Sequence, residues 1–392
     1  MLGEILRTFN AQGRDLVMPN SSISTSLSNP SLDRRRFLAA GVGLGAAALA
    51  ARPANAAEQP PEGSPGSPDV HLFYYPWYGS PSVHGSWRHW QQGGNQPPES
   101  VGADFYPLLG AYDAGDEEVV AQHMRWVRQA GVGVVATTWW GQGSYEDQRV
   151  PLLLDVAAEH GVAVAWHLEP YEDRTALSTV EDVAYINERY GDHPAFYRDA
   201  AHGDRPAFYV FNSLLTEDWS ELAAVGEENI VLAQTTDVSR VVDFQGLYTY
   251  AVLTEFEGWA GVAEWCRANG RIWAPSVGPG YVDDRAVPGN TTETIDRADG
   301  ETYDAIWSAV LSPENGGPPD WVSITSFNEW HEGSTIEPAS STPPVGHNYL
   351  TYDGAYGTTG EDSPTAYLER TRYWATVFRN IPRGVGGSPV VR

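Results

Sequence analysis

EEVVAQHMRWVRQAGVGVVATTWWG, residues 117–141, holds the organising unit of this chain in one stretch. Its first half carries apolar residues at helical spacing and stops at Gly131, as a helix C-terminus does. Its second half is a β-branched run that ends on two tryptophans and a glycine. The same alternation extends in both directions. Short apolar runs occur at VHLFYY (70–75), VGVVATTWW (132–140), VAVAWHLE (162–169), PAFYVFN (206–212), NIVLAQTT (229–236), GLYTYAV (246–252), IWAPSV (272–277) and WVSITSFNE (321–329). Helical patterns lie between them, among them EGWAGVAEWCRANG (257–270), and SPTAYLERTRYWATVFRN (363–380) would close the ring. Eight strands, most followed by a helix, predict an α/β chain folded as a single-domain (β/α)8 TIM barrel over residues 70–392. An open doubly wound sheet is the rival. It is disfavoured because no G-x-G-x-x-G follows the first strand.

The composition narrows the partners. With 392 residues there is room for one large domain. The net charge of −27 argues against nucleic acid, whose phosphates call for a basic surface. All 24 basic residues are arginine, which together with the acidity suits a halophile or a GC-rich genome; a halophile is the expectation. The one cysteine, Cys266, allows no internal disulfide and no Cys-based zinc site.

Residues 31–57, SLDRRRFLAAGVGLGAAALAARPANAA, read as charge, then a mild apolar stretch, then small residues. This is a secretory pattern. Arg34 and Arg35 with Arg36, Phe37 and Leu38 match the twin-arginine motif, and Ala54-Asn55-Ala56 offers a cleavage site. Residues 1–56 are therefore expected to be a twin-arginine signal, with Met18 an alternative start, and 57–69, rich in Pro, Gly and Ser, a flexible linker. The apolar stretch is too short to span a membrane. The mature protein is expected to be extracellular or at the cell surface, without membrane insertion, and monomeric.

In a barrel of this kind the site forms where strands end. Strand one runs into Tyr74, Tyr75, Trp77 and Tyr78, strand two into Trp139 and Trp140, and strand three into His167, Glu169 and Tyr171. Strand six runs into Tyr248 and Tyr250, strand seven into Tyr281, and strand eight into Asn328, Glu329, Trp330, His331 and Glu332. Aromatic faces, a few carboxylates and a histidine on one rim, with no cofactor fingerprint, describe a sugar cleft. The densest polar cluster after a strand is SITSFNEWHEGSTIEPA (323–339). Glycoside hydrolysis needs one carboxyl group to protonate the departing oxygen and a second on the sugar side. Glu329 and Glu332, three apart, can both point into the mouth and repel as anions, which leaves one protonated near neutrality. For an isolated E-x-x-E a helix cap or an ion pair is the better reading; position after the last strand favours chemistry. His331 lacks the His-x-x-x-His spacing of zincins, so neither metal nor cofactor is expected.

The runs FNEWHEGSTIEP (327–338), FYYPWYGSP (73–81), YPLLGAYD (106–113), TTWWG (137–141), WHLEPYEDR (166–174), HPAFYR (193–198), RPAFYVFN (205–212) and PSVGPGY (275–281) resemble glycoside hydrolase family 99. The resemblance spans 70–379 in order. It implies a (β/α)8 endo-α-1,2-mannosidase or endo-α-1,2-mannanase that retains anomeric configuration through a 1,2-anhydro sugar. Carried over, Glu329 is the base on the sugar 2-hydroxyl and Glu332 the general acid and then base. Tyr75, Trp140, His167, Tyr250 and Arg297 match positions that bind the flanking sugars; Tyr281, Trp330 and His331, at the strand ends, are also taken as substrate-binding. The loop 80–100 lacks the acidic residue the family places there, and 283–300 and 342–357 look individual. An oligosaccharide or polysaccharide is the expected partner; another α-linked glycan, or a carbohydrate-binding barrel without catalysis, are the alternatives. A surface-layer or adhesion protein is disfavoured by the absence of repeats and stalks.

Overall fold

A computed structural model of the protein describes residues 65–252 and 255–382. The signal segment 1–56 and the linker as far as residue 64 lie outside the described residues. The strands are β1 (Ser67–Tyr74), β2 (Val132–Trp139), β3 (Ala163–Leu168), β4 (Ala207–Val210), β5 (Ile230–Gln234), β6 (Gly246–Tyr248), β7 (Ile272–Ala274), β8 (Ser276–Val277) and β9 (Val322–Ile324). The first begins three residues earlier than the sequence suggested, so 67–69, expected to be linker, are strand. Ser67 N donates to Gly131 O at 2.8 Å, which draws the chain into the sheet at once.

All pairings are parallel, in the order β7-β6-β5-β4-β3-β2-β1-β9-β8. β7 and β8 are two pieces of the single strand expected at 272–277. Pro275 has no N–H to give the ladder and divides it. On one side of this break β7 pairs with β6, and on the other β8 pairs with β9. Trp321 N and Ser323 N reach across to Trp273 O and Pro275 O at 3.3 and 3.1 Å. The two ends of the order therefore meet, and eight strands close into a barrel.

The helices are α1 (Glu117–Gln129), α2 (Val150–Glu159), α3 (Ala176–Tyr190), α4 (Trp259–Asn269), α5 (Glu301–Leu311) and α6 (Ala366–Asn380). α1 starts where the Asp116 carboxylate accepts Glu118 N, with two acidic residues in its first turn and Arg128 in its last, as the helix dipole favours. α3 opens on a reciprocal cap between Thr175 and Ser178. β4 and β5 are followed only by 3-10 turns, Ser220–Ala224 and Val238–Arg240. No helix among the described residues is long and apolar enough to cross a membrane.

The barrel is filled by rings, not aliphatic layers alone. His71 stacks on Trp321 (4.6 Å, 24°), and its Nδ1 accepts from Tyr209 Oη at 2.7 Å while its Nε2 donates to Pro68 O at 3.1 Å. Phe73 packs edge-on against Tyr209 and, one layer up, touches His167, Tyr248 and Tyr250. His71 and Tyr209 thus satisfy each other's polar ring atoms, as close packing in a dry interior requires. The column ends at the mouth, which is where the site begins.

Candidate active site

After β9 the chain turns through Ser326–Asn328 and enters a 3-10 turn, Trp330–Glu332. Glu329 caps that turn: its Oε1 accepts His331 N at 3.1 Å, while its own N–H donates to Ser326 Oγ at 2.8 Å. Because the turn is tight, Glu329 and Glu332 leave it on the same side, as the sequence spacing anticipates. Glu329 is buried and Glu332 half-buried. Burial raises the Glu329 carboxyl well above its ordinary range, and the charge of Glu332 adds to this. Burial likewise pushes Glu332 up to about 7; Asp283 and Glu169 add to the shift and a hydrogen bond from Tyr250 opposes it. The two groups titrate as a pair, and near neutrality the pair holds one proton.

Around the dyad the strand ends supply walls. The Tyr75 and Tyr250 hydroxyls are hydrogen-bonded to each other. Tyr250 sits in left-handed backbone (φ 67°), held by its N–H to Ser276 Oγ (2.7 Å) and by Thr325 Oγ1 on its carbonyl. That conformation is costly for a non-glycine residue and aims the ring at Glu332. His167 stacks on Tyr250 (5.5 Å, 17°); its Nε2 meets Tyr248 Oη at 3.0 Å and its Nδ1 meets Glu169 Oε1 at 3.1 Å. On the far side Tyr75 meets Trp77 at a tilt (4.7 Å, 45°) and Trp77 stacks on His89 (4.4 Å, 13°), with His331 next to them. Trp140 is half-buried beside Gly141, on a loop pinned by Asp147, which accepts from Trp139 Nε1 at 2.9 Å and Gly143 N at 2.9 Å. The Tyr281 hydroxyl donates to Asp283 Oδ2 at 2.9 Å.

Two of the residues read as sugar contacts spend polar atoms on bonds within the protein. Trp330 is fully buried: its indole N–H donates to Glu337 Oε2 (2.9 Å) and lies 3.2 Å from Tyr112 Oη, behind the turn and not in the mouth. The turn that brings Glu329 and Glu332 forward necessarily sends the residue after Glu329 inward. Arg297 lies just before the 3-10 turn Ala298–Gly300. Its Nη2 donates to Gly333 O (2.9 Å) and Thr335 O (2.6 Å), with the guanidinium 4.5–4.6 Å from the rings of Phe105, Tyr352 and Tyr367. It braces the chain just beyond Glu332. Conversely, Glu169, Asp283 and Asn328 belong with the site although they were not singled out as site residues. Glu169 and Asn328 lie at strand ends, a signal that could have found them; Asp283 sits in a loop with no local pattern to mark it.

A buried and a half-buried carboxyl with one proton between them can protonate a departing oxygen while the ionised partner serves the sugar side. That chemistry, at the mouth of a parallel barrel walled with aromatic rings, makes the protein a glycoside hydrolase. The chain belongs to glycosyl hydrolase family 99, which it matches over residues 67–380. It is 33% identical over 355 residues to the glycoprotein endo-alpha-1,2-mannosidase of Mus musculus, covering 79% of this chain and 74% of the mouse protein. An endo-alpha-1,2-mannosidase-like protein of Danio rerio is equally similar, 33% over 356 residues, with 79% and 78% covered. The solved GH99 endo-alpha-mannosidase of Bacteroides thetaiotaomicron shares 36% identity at a TM-score of 0.70, over 80% of this chain and 98% of that one. The protein is thus an endo-α-mannosidase-like hydrolase of this family.

Proposed function

We propose that this protein is an exported, retaining endo-acting hydrolase of α-mannosidic, α-1,2-mannan-like linkages, working through a 1,2-anhydro sugar. The observation that carries the reading is the Glu329–Glu332 pair: a half-buried carboxyl held up to about 7 beside a buried one on the same turn. In the first step Glu329 takes the proton of the sugar 2-hydroxyl and O2 closes on C1. The bond from C1 to the leaving oxygen breaks, and that oxygen takes the Glu332 proton. In the second, Glu332 removes a proton from water, which opens the three-membered ring at C1, and Glu329 returns its proton to O2. Two displacements at C1 retain configuration. Tyr75, Trp140, His167, Tyr250 and Tyr281 would contact the sugars on either side.

Export rests on the twin-arginine pattern at Arg34 and Arg35, and the acidic, lysine-free composition supports a salt-adapted protein; its folding and activity are expected to depend on salt. The test is digestion of yeast-type mannan and α-1,2-mannosyl oligosaccharides by wild type, Glu332→Ala and Glu329→Gln, with products weighed and their anomers assigned by NMR. Short α-configured oligosaccharides, absent with both variants, are expected. Failure to turn over any mannoside would redirect the reading to another α-linked glycan.

A further inference from the structure

The ring of His331 is held from two sides. Its Nε2 lies 3.2 Å from the carbonyl oxygen of His89, and its Nδ1 lies 3.5 Å from Glu329 Oε1. A carbonyl can only accept, so Nε2 carries the hydrogen. The ring is buried against Trp77, Tyr78 and His89, and burial holds it neutral, down to about 4. Nδ1 therefore presents a bare lone pair to Glu329. His89 is itself placed for this: its backbone is left-handed (φ 64°) and its ring is stacked on Trp77 at 4.4 Å, an arrangement that turns its carbonyl toward Nε2.

A lone pair facing a carboxylate repels it. The same lone pair accepts a hydrogen bond as soon as that oxygen gains a proton. The contact is unfavourable while Glu329 is an anion and favourable once it has taken a proton, so it acts selectively as the reaction proceeds. We propose that His331 is a positioning residue for Glu329, a tautomer-locked acceptor that raises the basicity of Glu329 and receives, on Nδ1, a hydrogen bond from the proton Glu329 removes from the sugar 2-hydroxyl. This rests on the reading of Glu329 as that base. Atoms balance without a further partner. The O2–H bond breaks, a Glu329 O–H bond forms and points to Nδ1, and in the second step the proton goes back to O2. The titratable groups facing the ring are Glu329 on its own turn, Tyr78 after β1 and His89 in the first loop, with Glu332 next along the chain.

The experiment combines His331→Phe, which keeps a ring in the stack, with ¹⁵N-histidine NMR of the full protein, the His331 signals being assigned by their loss in that variant. Wild type is expected to show the neutral Nε2–H tautomer, with an Nδ1 shift that moves to its hydrogen-bonded value as the carboxyl pair gains protons on acidification. His331→Phe is expected to lower kcat by about 10- to 100-fold with KM little changed. It is also expected to move the acid limb of kcat/KM to lower pH, because without the opposing lone pair Glu329 is a weaker base. An Nδ1–H tautomer, an Nδ1 shift indifferent to pH, or a uniform loss of rate with an unmoved acid limb would overturn the proposal. Glu329→Gln separates the two readings. If that variant stays active, the base assignment itself fails; if it is inactive while His331→Phe behaves as wild type, only the role of His331 fails.

Discussion

The side chain of Asn328 grips the main chain of Tyr75 from both sides, accepting its N–H at 2.7 Å and donating to its carbonyl at 3.0 Å. β1 and β9 are neighbours in the sheet, but their ladder stops at Ile324; this amide continues the pairing beyond the strand ends. It sets the position of Glu329, the next residue, against the Tyr75 ring. Asn328→Ala would leave two buried main-chain groups unpaired and is expected to cost about 2–4 kcal/mol. The urea midpoint should fall, and kcat should fall by at least about tenfold through misplacement of Glu329.

The alkaline limb of activity follows from the dyad. On the proposed mechanism Glu332 gives a proton that it no longer holds above about 7, so kcat/KM is expected to fall there. Stability follows the same group. A carboxyl raised in the fold favours the protonated state, so its contribution is complete below the ordinary 4.5 and is lost as pH climbs to about 7. Glu332→Gln is therefore expected to be inactive yet more stable than wild type at pH 8, by on the order of 1–2 kcal/mol once solvent screening at this half-buried site is allowed for. Thermal unfolding at pH 5 and pH 8 checks this, since most of the gain should be gone at pH 5.

His71 works in the opposite direction. Burial takes it from 6.5 down to about 4, and it sits fully enclosed between Tyr209 and Trp321. The fold holds it neutral while the unfolded chain binds a proton below 6.5. Its contribution is present above 6.5 and is lost as pH falls toward 4, by up to about 3 kcal/mol. His71→Gln is expected to be less stable at pH 7 but to lose less stability between pH 6.5 and 4, a difference in slope that denaturant titrations at several pH values would read.

Trp330 provides a separate check on the reading of the mouth. Its indole N–H and the Tyr112 hydroxyl both donate to Glu337 Oε2, while His123 Nε2 approaches Oε1 at 3.3 Å. Trp330→Phe would remove one donor from a fully buried carboxylate and is expected to cost about 2–3 kcal/mol. If the tryptophan is core, KM for mannosides stays near wild type; a large rise in KM at unchanged stability would restore it to the sugar surface.

Much of this protein was legible in one dimension. Apolar runs such as 132–140 and 162–169 are buried on both faces and so read as near-continuous apolar stretches, and helices such as α1 and α4 declare themselves by period and by glycine stops. The E-x-x-E of 329–332 was legible because it follows the last strand. What the sequence left open is geometric. Arg297 and Trp330 carry side-chain types that suit sugar binding, and only their direction, set by a tight turn and by the cage of Phe105, Tyr352 and Tyr367, assigns them to bracing and to the core.

By itself the sequence determined the repeat, the closed parallel barrel, the family and the turn on which two carboxyls stand, because periodicity and motif spacing are properties of neighbours along a chain. Tertiary structure alone decided that Pro275 splits the closing strand, that Asn328 ties β9 to β1, and that Glu169 and Asp283 add their charge to the dyad. It also decided that the carbonyl of His89 fixes the tautomer of a ring 242 positions away. Burial, charge–charge distance and hydrogen-bond direction act through space between residues remote in the chain, and those terms set which proton each group holds.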